Sequence, residues 1–312
     1  MKMQGASGKV SLVDWQEEYR RKLVTAAEAA RAVKSGDMVV CTAGREPLAI
    51  GLALAARKEE LHGVEVFIPT PTFDFGWFDP GWGDSFSVQV GYVFPRGVAA
   101  EALRERRSDY LVGGLRLWWE LPLSRPVDVL LTEVTPPDEH GYCGFGASLY
   151  DKRSWVKRAR VVLAEVNPRL IRTYGDNYIH VSQIDRFVEH PPSDKSPGAV
   201  DLSGKPLGEL PRHVKPIAEH VSALIRNGDT LQLGTGGTSE ALVRAGLLEG
   251  KEDIGWHSEV TPGGIVRLVK EGVVTGRYKT IDRGKAVAAA LGGGTQEEMA
   301  FVHLNPLFEL RD

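Results

Sequence analysis

The sequence predicts an α/β protein made of two doubly wound, mainly parallel-sheet domains, and three observations predict it. Apolar runs of strand length alternate with amphipathic runs of helix length, the pattern of strands joined by crossover helices. At 312 residues the chain is longer than one typical core supports. A stretch rich in Pro, Gly, Ser and Asp over residues 191–209 interrupts the alternation. The reading is an N-terminal α/β domain over 1–195, a linker over 196–210 and a second α/β domain over 211–312.

Trp15 to Leu23 and Ala26 to Val33 read as helices, the second capped by Thr25 and stopped by Ser35-Gly36. Met38 to Thr42 follows as a buried strand, and Pro47 to Ala56 as a helix that starts just past the turn at Gly44. Strands are then expected at Val64 to Ile68, Val88 to Val90, Val127 to Leu131 and Arg160 to Glu165. His213 to Asn227 reads as the first helix of the second domain. Ser35-Gly36-Asp37 before one strand is echoed by Asn227-Gly228-Asp229 before another, so the halves are expected to share local architecture.

The second domain carries the most informative segment. Leu231 to Leu233 is a short apolar strand; Gly234, Gly236 and Gly237 form the turn that leaves it, and Thr238 or Ser239 caps the next helix. That helix runs through Ala241, Leu242, Val243 and Leu247 to a stop near Gly250. Ile254 to Trp256 begins a second strand, with Glu259 where it runs out. In an open parallel sheet ligands bind beyond the carboxyl ends of the strands, so loop and carboxylate are expected to face one crevice. The loop lacks the Lys-Ser/Thr ending of a phosphate loop and the full G-x-G-x-x-G of a dinucleotide loop. An oxyanion hole needs only closely approaching backbone amides, which glycine provides. Gly234 and Gly236 are therefore read as donors to a developing oxyanion and Glu259 as the attacking carboxylate, a pairing suited to acyl transfer. More weakly, Gly44 suggests a second approach point, where Arg45 and Glu46 contact substrate or Glu46 merely begins a helix whose dipole favours it.

Composition excludes little. Hydrophobic content of 42%, 25% charged residues and a net charge of −3 suit an ordinary globular protein and give no reason to expect nucleic acid. The N-terminus lacks a signal-like apolar core, and no apolar run approaches the ~18 residues of a membrane span, so a cytoplasmic location is expected. Cys41 and Cys143, the two cysteines, have neither disulfide nor zinc spacing. Asp138, Glu139 and His140 are adjacent and cannot readily converge on one ion; a rigid loop after Pro136-Pro137 is expected, and no metal. The aromatic cluster Phe73, Phe75, Trp77, Phe78, Trp82 and Phe86 reads as a packed loop, a lid or an interface.

Leu233 to Glu259 and the following Gly263-Gly264-Ile265-Val266-Arg267-Leu268-Val269-Lys270-Glu271-Gly272-Val273-Val274 resemble the second-domain core of the acetyl-CoA hydrolase/CoA-transferase family, whose 4-hydroxybutyrate and acetate CoA-transferases are family I enzymes. Pro136 to Cys143, Ala164 to Pro168, Arg172 to Asp176, Ile179 to Ser182 and the segments Ser35 to Asp37 and Gly44 to Leu48 agree, in the family's order. The resemblance implies the CoA-transferase fold and CoA transfer between an acyl-CoA and a carboxylate acceptor, with Glu259 forming an acyl-glutamyl anhydride and then a glutamyl-CoA thioester. Substrate contacts are expected at Gly44, Arg45, Glu46, Gly237, Gly263 and Gly264, and no cofactor beyond coenzyme A as substrate. An acyl-CoA hydrolase, or a noncatalytic subunit of a CoA-transferase complex, are the alternatives.

Two departures qualify these implications. Val260-Thr261-Pro262-Gly263-Gly264 stands where the family usually has a Ser-Asp-Gly type sequence. Residues 305–312 match a point well inside the family's second domain, so that domain is expected to be incomplete and a second subunit to complete it.

Overall fold

The computed structural model describes residues 14–91, 95–112, 126–191, 209–234, 237–292 and 294–312. Most of the 196–210 linker therefore lies outside the described residues, as does Gly236.

The strands in chain order are β1 (Met38–Cys41), β2 (Val64–Ile68), β3 (Phe86–Val90), β4 (Asp109–Tyr110), β5 (Val127–Val134), β6 (Tyr142–Gly144), β7 (Ala159–Val166), β8 (Tyr174–Gly175), β9 (Tyr178–His180), β10 (Arg186–Glu189), β11 (Thr230–Leu231), β12 (Gly255–Thr261), β13 (Ala286–Leu291) and β14 (Phe308–Leu310). Seven form a wholly parallel sheet in the order β10-β7-β5-β1-β2-β3-β4. β1 is central and the chain winds away from it in both directions, so the β1/β5 boundary is the switch point where open α/β sheets take their ligands. Fully apolar strands such as Met38–Cys41, buried at every position, suit a sheet covered on both faces.

The second sheet, also parallel, runs β11-β12-β13-β14-β8. Its last strand comes from the first part of the chain: Tyr174 and Gly175 pair with Glu309 and Leu310. A second loan lies beside it. β14 pairs with β13 only as far as Ala288, and beyond that point Ala147–Leu149 docks antiparallel on β13 through Leu291 N–H to Ala147 O at 2.7 Å and Leu149 N–H to Ala289 O at 2.9 Å. One hydrophobic cluster accordingly runs from Val40 and Leu130 of the first sheet to Trp256 and Ala288 of the second.

The expected echo between the halves is a repeated turn. Asp37 Oδ2 accepts from Lys34 N–H and Asp229 Oδ2 from Arg226 N–H, each at 2.8 Å. Gly36 and Gly228, each just before its aspartate, have φ of 79° and 83°, the left-handed region glycine enters without strain. The same device feeds β1 of the first sheet and β11 of the second.

Sequence and structure differ at several elements. The helix expected over Ala26 to Val33 is Ala26–Ala30, with Thr25 accepting from Glu28 N–H as its cap. That over His213 to Asn227 is Val214–Ser222. Leu231 to Leu233 is cut to a two-residue pairing over Thr230–Leu231. The strand begun at Ile254 runs on to Thr261, so Glu259 lies inside β12 rather than beyond its end. The aromatic cluster is packed: Phe75, Trp77, Phe78 and Phe86 are buried, and Gly51 lacks a side chain where the Phe75 ring lies against the helix Leu48–Ala55. Among the described residues no helix is long and apolar enough to cross a membrane.

Candidate functional site

β12 alternates its side chains, so Glu259 and Val260 project to opposite faces. Glu259 is half-buried, and burial raises its carboxyl above the usual range. Its Oε1 accepts a hydrogen bond of 3.0 Å from the Tyr150 hydroxyl. Tyr150 belongs to the first half of the chain and reaches β12 because Ala147–Leu149 is seated on β13. Tyr150 and Asp151 both have left-handed backbones, φ 34° and 54°, which cost non-glycine residues energy and are kept where surrounding structure demands them. Burial pushes the Tyr150 phenol up to about 12, so it remains a donor.

Ser258, the residue before Glu259, ties down the glycine loop. Its hydroxyl donates to Leu233 O at 3.0 Å and accepts from Leu233 N–H at 3.3 Å. The backbone leading into Gly234 is thus fixed one residue away from the carboxylate. Gly234 is exposed, and a Cβ there would meet nothing within 4 Å. Neither positive φ nor close packing requires glycine at this point, which leaves approach by a ligand as a use for it. Gly237 opens the helix Gly237–Arg244.

At the switch point a cavity of about 220 Å³ lies between the sheets. Gly44, Arg45, Glu133 and Lys152 line one side, Val260, Ala290, Leu291 and Gly292 the other, with Tyr150 shared between cavity and Glu259. Two of the expected substrate residues, Gly44 and Arg45, are therefore at the cavity. Glu46 does not line it. Glu46 is buried, its Oε1 accepts from Thr72 N–H at 2.8 Å, and burial lifts its carboxyl to about 7. Nor does Glu46 start the helix: Glu165 Oε2 accepts from Ala49 and Ile50 N–H at 2.7 and 3.2 Å, reaching across from β7 to satisfy the first turn. Gly264 is also apart from the cavity. Its φ of 94° caps the helix Ile265–Lys270, its N–H donates to Glu298, and it lines a separate groove of about 540 Å³ with Arg267 and Phe301. Gly263, its neighbour, is buried at that turn.

Sequence reading missed a buried network beneath the cavity. Arg45 Nε contacts Glu133 Oε2 as an ion pair at 2.9 Å. Glu133 Oε1 accepts from Asn167 at 3.1 Å, and His190 Nδ1 lies 2.5 Å from Glu165 Oε1 and 3.4 Å from Glu133 Oε1. Glu133, Glu165 and His190 lie close enough to share a metal ion, and both carboxylates also have protein donors: Glu165 accepts from Ile50 N–H and Glu133 from Asn167. The signal was present as a glutamate second from the end in both Val127–Val134 and Ala159–Val166, which the parallel register sets side by side. Asp138 forms the rigid loop expected: its Oδ1 accepts from His140 and Tyr142 N–H, both at 2.9 Å, and Arg172 holds Oδ2. Cys41 and Cys143 are buried free thiols.

Residues 121–195 match the family model described as the acetyl-CoA hydrolase/transferase N-terminal domain. The 4-hydroxybutyrate coenzyme A transferase of Clostridium kluyveri is 34% identical over 95% of this chain and 67% of its own. Among solved structures, RipA from Yersinia pestis superposes with a TM-score of 0.82 at 26% identity, covering 96% of this chain and 69% of that one. A 4-hydroxybutyrate CoA-transferase from Porphyromonas gingivalis gives 0.71 at 30% identity, covering 95% and 69%. The chain spans about two thirds of the length of its curated relatives, from 64 to 67% for four of them. With one-third identity across nearly all its length to a relative of which it covers two thirds, and with these structural superpositions, the chain belongs to the acetyl-CoA hydrolase/transferase family.

Proposed function

We propose that this chain carries the nucleophile of a CoA-transferase that moves coenzyme A between an acyl-CoA and a carboxylate acceptor. The observation that carries the reading is Glu259 held by Tyr150 at 3.0 Å where the two sheets meet. Glu259 attacks the thioester carbonyl and expels the CoA thiolate, giving a mixed anhydride. The thiolate attacks the glutamyl carbonyl of that anhydride, leaving CoA on Glu259 and releasing the first carboxylate. The acceptor carboxylate then attacks the glutamyl thioester, and the thiolate returns to the acceptor's acyl carbon, regenerating Glu259. Each step exchanges one carboxylate or thiolate for another, so no net proton is needed. Amides of the Gly234–Gly236 turn would hold the oxyanion of each tetrahedral intermediate, which typically lowers the barrier by about 2.7 to 4 kcal/mol per donor. Splitting one exchange into several easier ones is the gain from covalent catalysis.

The test is capture of the intermediate. Incubating the active assembly that contains this chain with acyl-CoA and borohydride should reduce the glutamyl thioester to an alcohol on the Glu259 peptide, read by mass spectrometry. Glu259→Ala should abolish transfer, and Glu259→Gln nearly so, because a neutral amide is a poor nucleophile. Full transfer by the Ala variant would overturn the assignment. Hydrolysis differs only in the acceptor, and the partial exposure of Glu259 admits water to the same thioester. Thiol release independent of added carboxylate would select that reading.

A further inference from the structure

The proposed cycle passes through tetrahedral intermediates at two different carbons. In the first and last steps the centre is the acyl carbon of the substrate, and the charge falls on a substrate oxygen. In the two steps between, the centre is the carboxyl carbon of Glu259, and the charge falls on an oxygen of Glu259 itself. A donor for this second kind has to be touching Glu259 already.

Tyr150 is such a donor, with its hydroxyl 3.0 Å from Glu259 Oε1. The backbone on either side of it is anchored. Leu149 N–H donates to Ala289 O at 2.9 Å just before it, and Asp151 N–H donates to Asp312 Oδ1 at 2.8 Å just after. Between these anchors Tyr150 keeps its φ of 34°, and Trp155 N–H to Asp151 O at 3.0 Å starts the helix Lys152–Arg158 directly behind it. A donor fixed in this way needs no reorganisation when charge develops beside it. With its phenol pushed up to about 12, it donates its hydrogen without giving it up.

We propose that Tyr150 is a catalytic residue, the oxyanion donor for the two exchanges at the glutamyl carbon, alongside the amides of the glycine turn and with no part in the attack on the substrate's acyl carbon. This deepens the CoA-transfer reading and rests on it. With Tyr150 on Oε1, Oε2 is the attacking oxygen and becomes the bridge of the mixed anhydride, and Oε1 becomes the glutamyl carbonyl oxygen. When the thiolate adds to that carbonyl, the π pair moves onto Oε1; on collapse the bond to Oε2 breaks, and Oε2 leaves with the released carboxylate. The acceptor carboxylate then adds to the thioester at the same carbon, again charging Oε1, and the C–S bond breaks. A resting carboxylate shares one charge between two oxygens, whereas these intermediates place a whole charge on Oε1. The Tyr150 bond is therefore stronger in them than in the resting enzyme, and only such a difference accelerates a step. In the first step Glu259 gives charge away, so the same bond contributes nothing there.

The test follows the glutamyl adduct in the active assembly that contains this chain, with Tyr150→Phe as a variant that keeps the ring. Acyl-CoA without acceptor should charge Glu259 with CoA in the parent, and the variant should charge about 10- to 10²-fold more slowly in a single turnover, the scale of a hydrogen bond to a charged group. Discharge of the preformed adduct by acetate should slow by a similar factor. A spectroscopic reading separates donation from packing. With glutamate labelled by ¹³C at the side-chain carboxyl, the glutamyl thioester carbonyl has its own infrared band, and loss of the Tyr150 donor should move that band to higher frequency. Unchanged rates, or slowed rates with the band unmoved, overturn the assignment. A parent that turns over with no CoA adduct on Glu259 overturns the nucleophile, and this role falls with it; an adduct whose rates and band are the same in the variant keeps the nucleophile and overturns Tyr150 alone.

Discussion

The Tyr150 hydroxyl and the Glu259 carboxylate are 109 residues apart in sequence and 3.0 Å apart in space. A donor to the ionised form stabilises it, whereas burial acts against it. Tyr150→Phe should therefore raise the Glu259 pKa further, moving the acidic limb of the kcat/KM profile to higher pH. It should also lower kcat roughly 10- to 10²-fold, the equivalent of a hydrogen bond to a charged group at about 1.5–3 kcal/mol. An unchanged limb with unchanged kcat would reduce the bond to packing. Glu46 gives a stability prediction. Its carboxyl is raised from 4.5 to about 7, so between those values the folded chain keeps a proton the unfolded chain has lost. That contribution is full below the unfolded pKa and declines as pH rises towards 7, by on the order of 3 kcal/mol. Glu46→Gln cannot ionise, so between pH 4.5 and 7 its Tm should fall less than the parent's in thermal melts across that range. Parallel curves would show that Glu46 does not titrate there. Legibility at this scale was uneven. Glu259 stood out because a carboxylate beside a glycine loop is a chemical pattern in sequence; Tyr150 and Lys152 lie far from it, and no local pattern marks them.

At the scale of elements, Gly234, shortly after β11, has room for a Cβ and no positive φ to preserve. Gly234→Val should leave the Tm nearly unchanged, yet lower transfer by about 10²- to 10³-fold if its amide must approach an acyl oxygen. Normal turnover would assign the turn to structure alone. The longer elements were readable from their periods. Val64–Ile68 came out as expected, and the strands over Val127–Val134 and Ala159–Val166 lengthened only at their ends. The two-residue strands β4, β8 and β11 carry too few side chains for periodicity, so their pairing is decided by what lies alongside. Glu259 was placed beyond its strand for a related reason: His257 and Glu259 are polar, and only the pairing of β12 with β13 keeps the backbone extended through them.

Across the whole molecule, β8 and Ala147–Leu149 bind the first half of the chain into the second sheet. The shared hydrophobic cluster and these borrowed strands should make thermal unfolding one transition by calorimetry, with equal calorimetric and van't Hoff enthalpies. Gly175 is the weak point of this joint, because its φ is 89° and a Cβ would run into the Leu310 backbone. Gly175→Val should separate β8 from β14 and lower the Tm by several degrees, a loss of about 1–3 kcal/mol. A second resolved transition in the parent would mean that the halves unfold independently.

By itself the sequence determined the α/β class, the longer strands and helices, the turn shared by the two halves and the glutamate on which the proposed chemistry turns. These depend on side-chain period, on the φ that glycine tolerates and on residue chemistry, all of which are local. Only the tertiary structure decided that Tyr150 meets Glu259, that Glu165 rather than Glu46 satisfies the helix at Leu48, and that Arg45 and Lys152 face a cavity bounded by the other sheet. Those relations arise where β13 extends past β14 and accepts a distant segment in its place. Unpaired backbone at a sheet edge must find a partner, and which partner it finds depends on the assembled sheets rather than on neighbours in sequence.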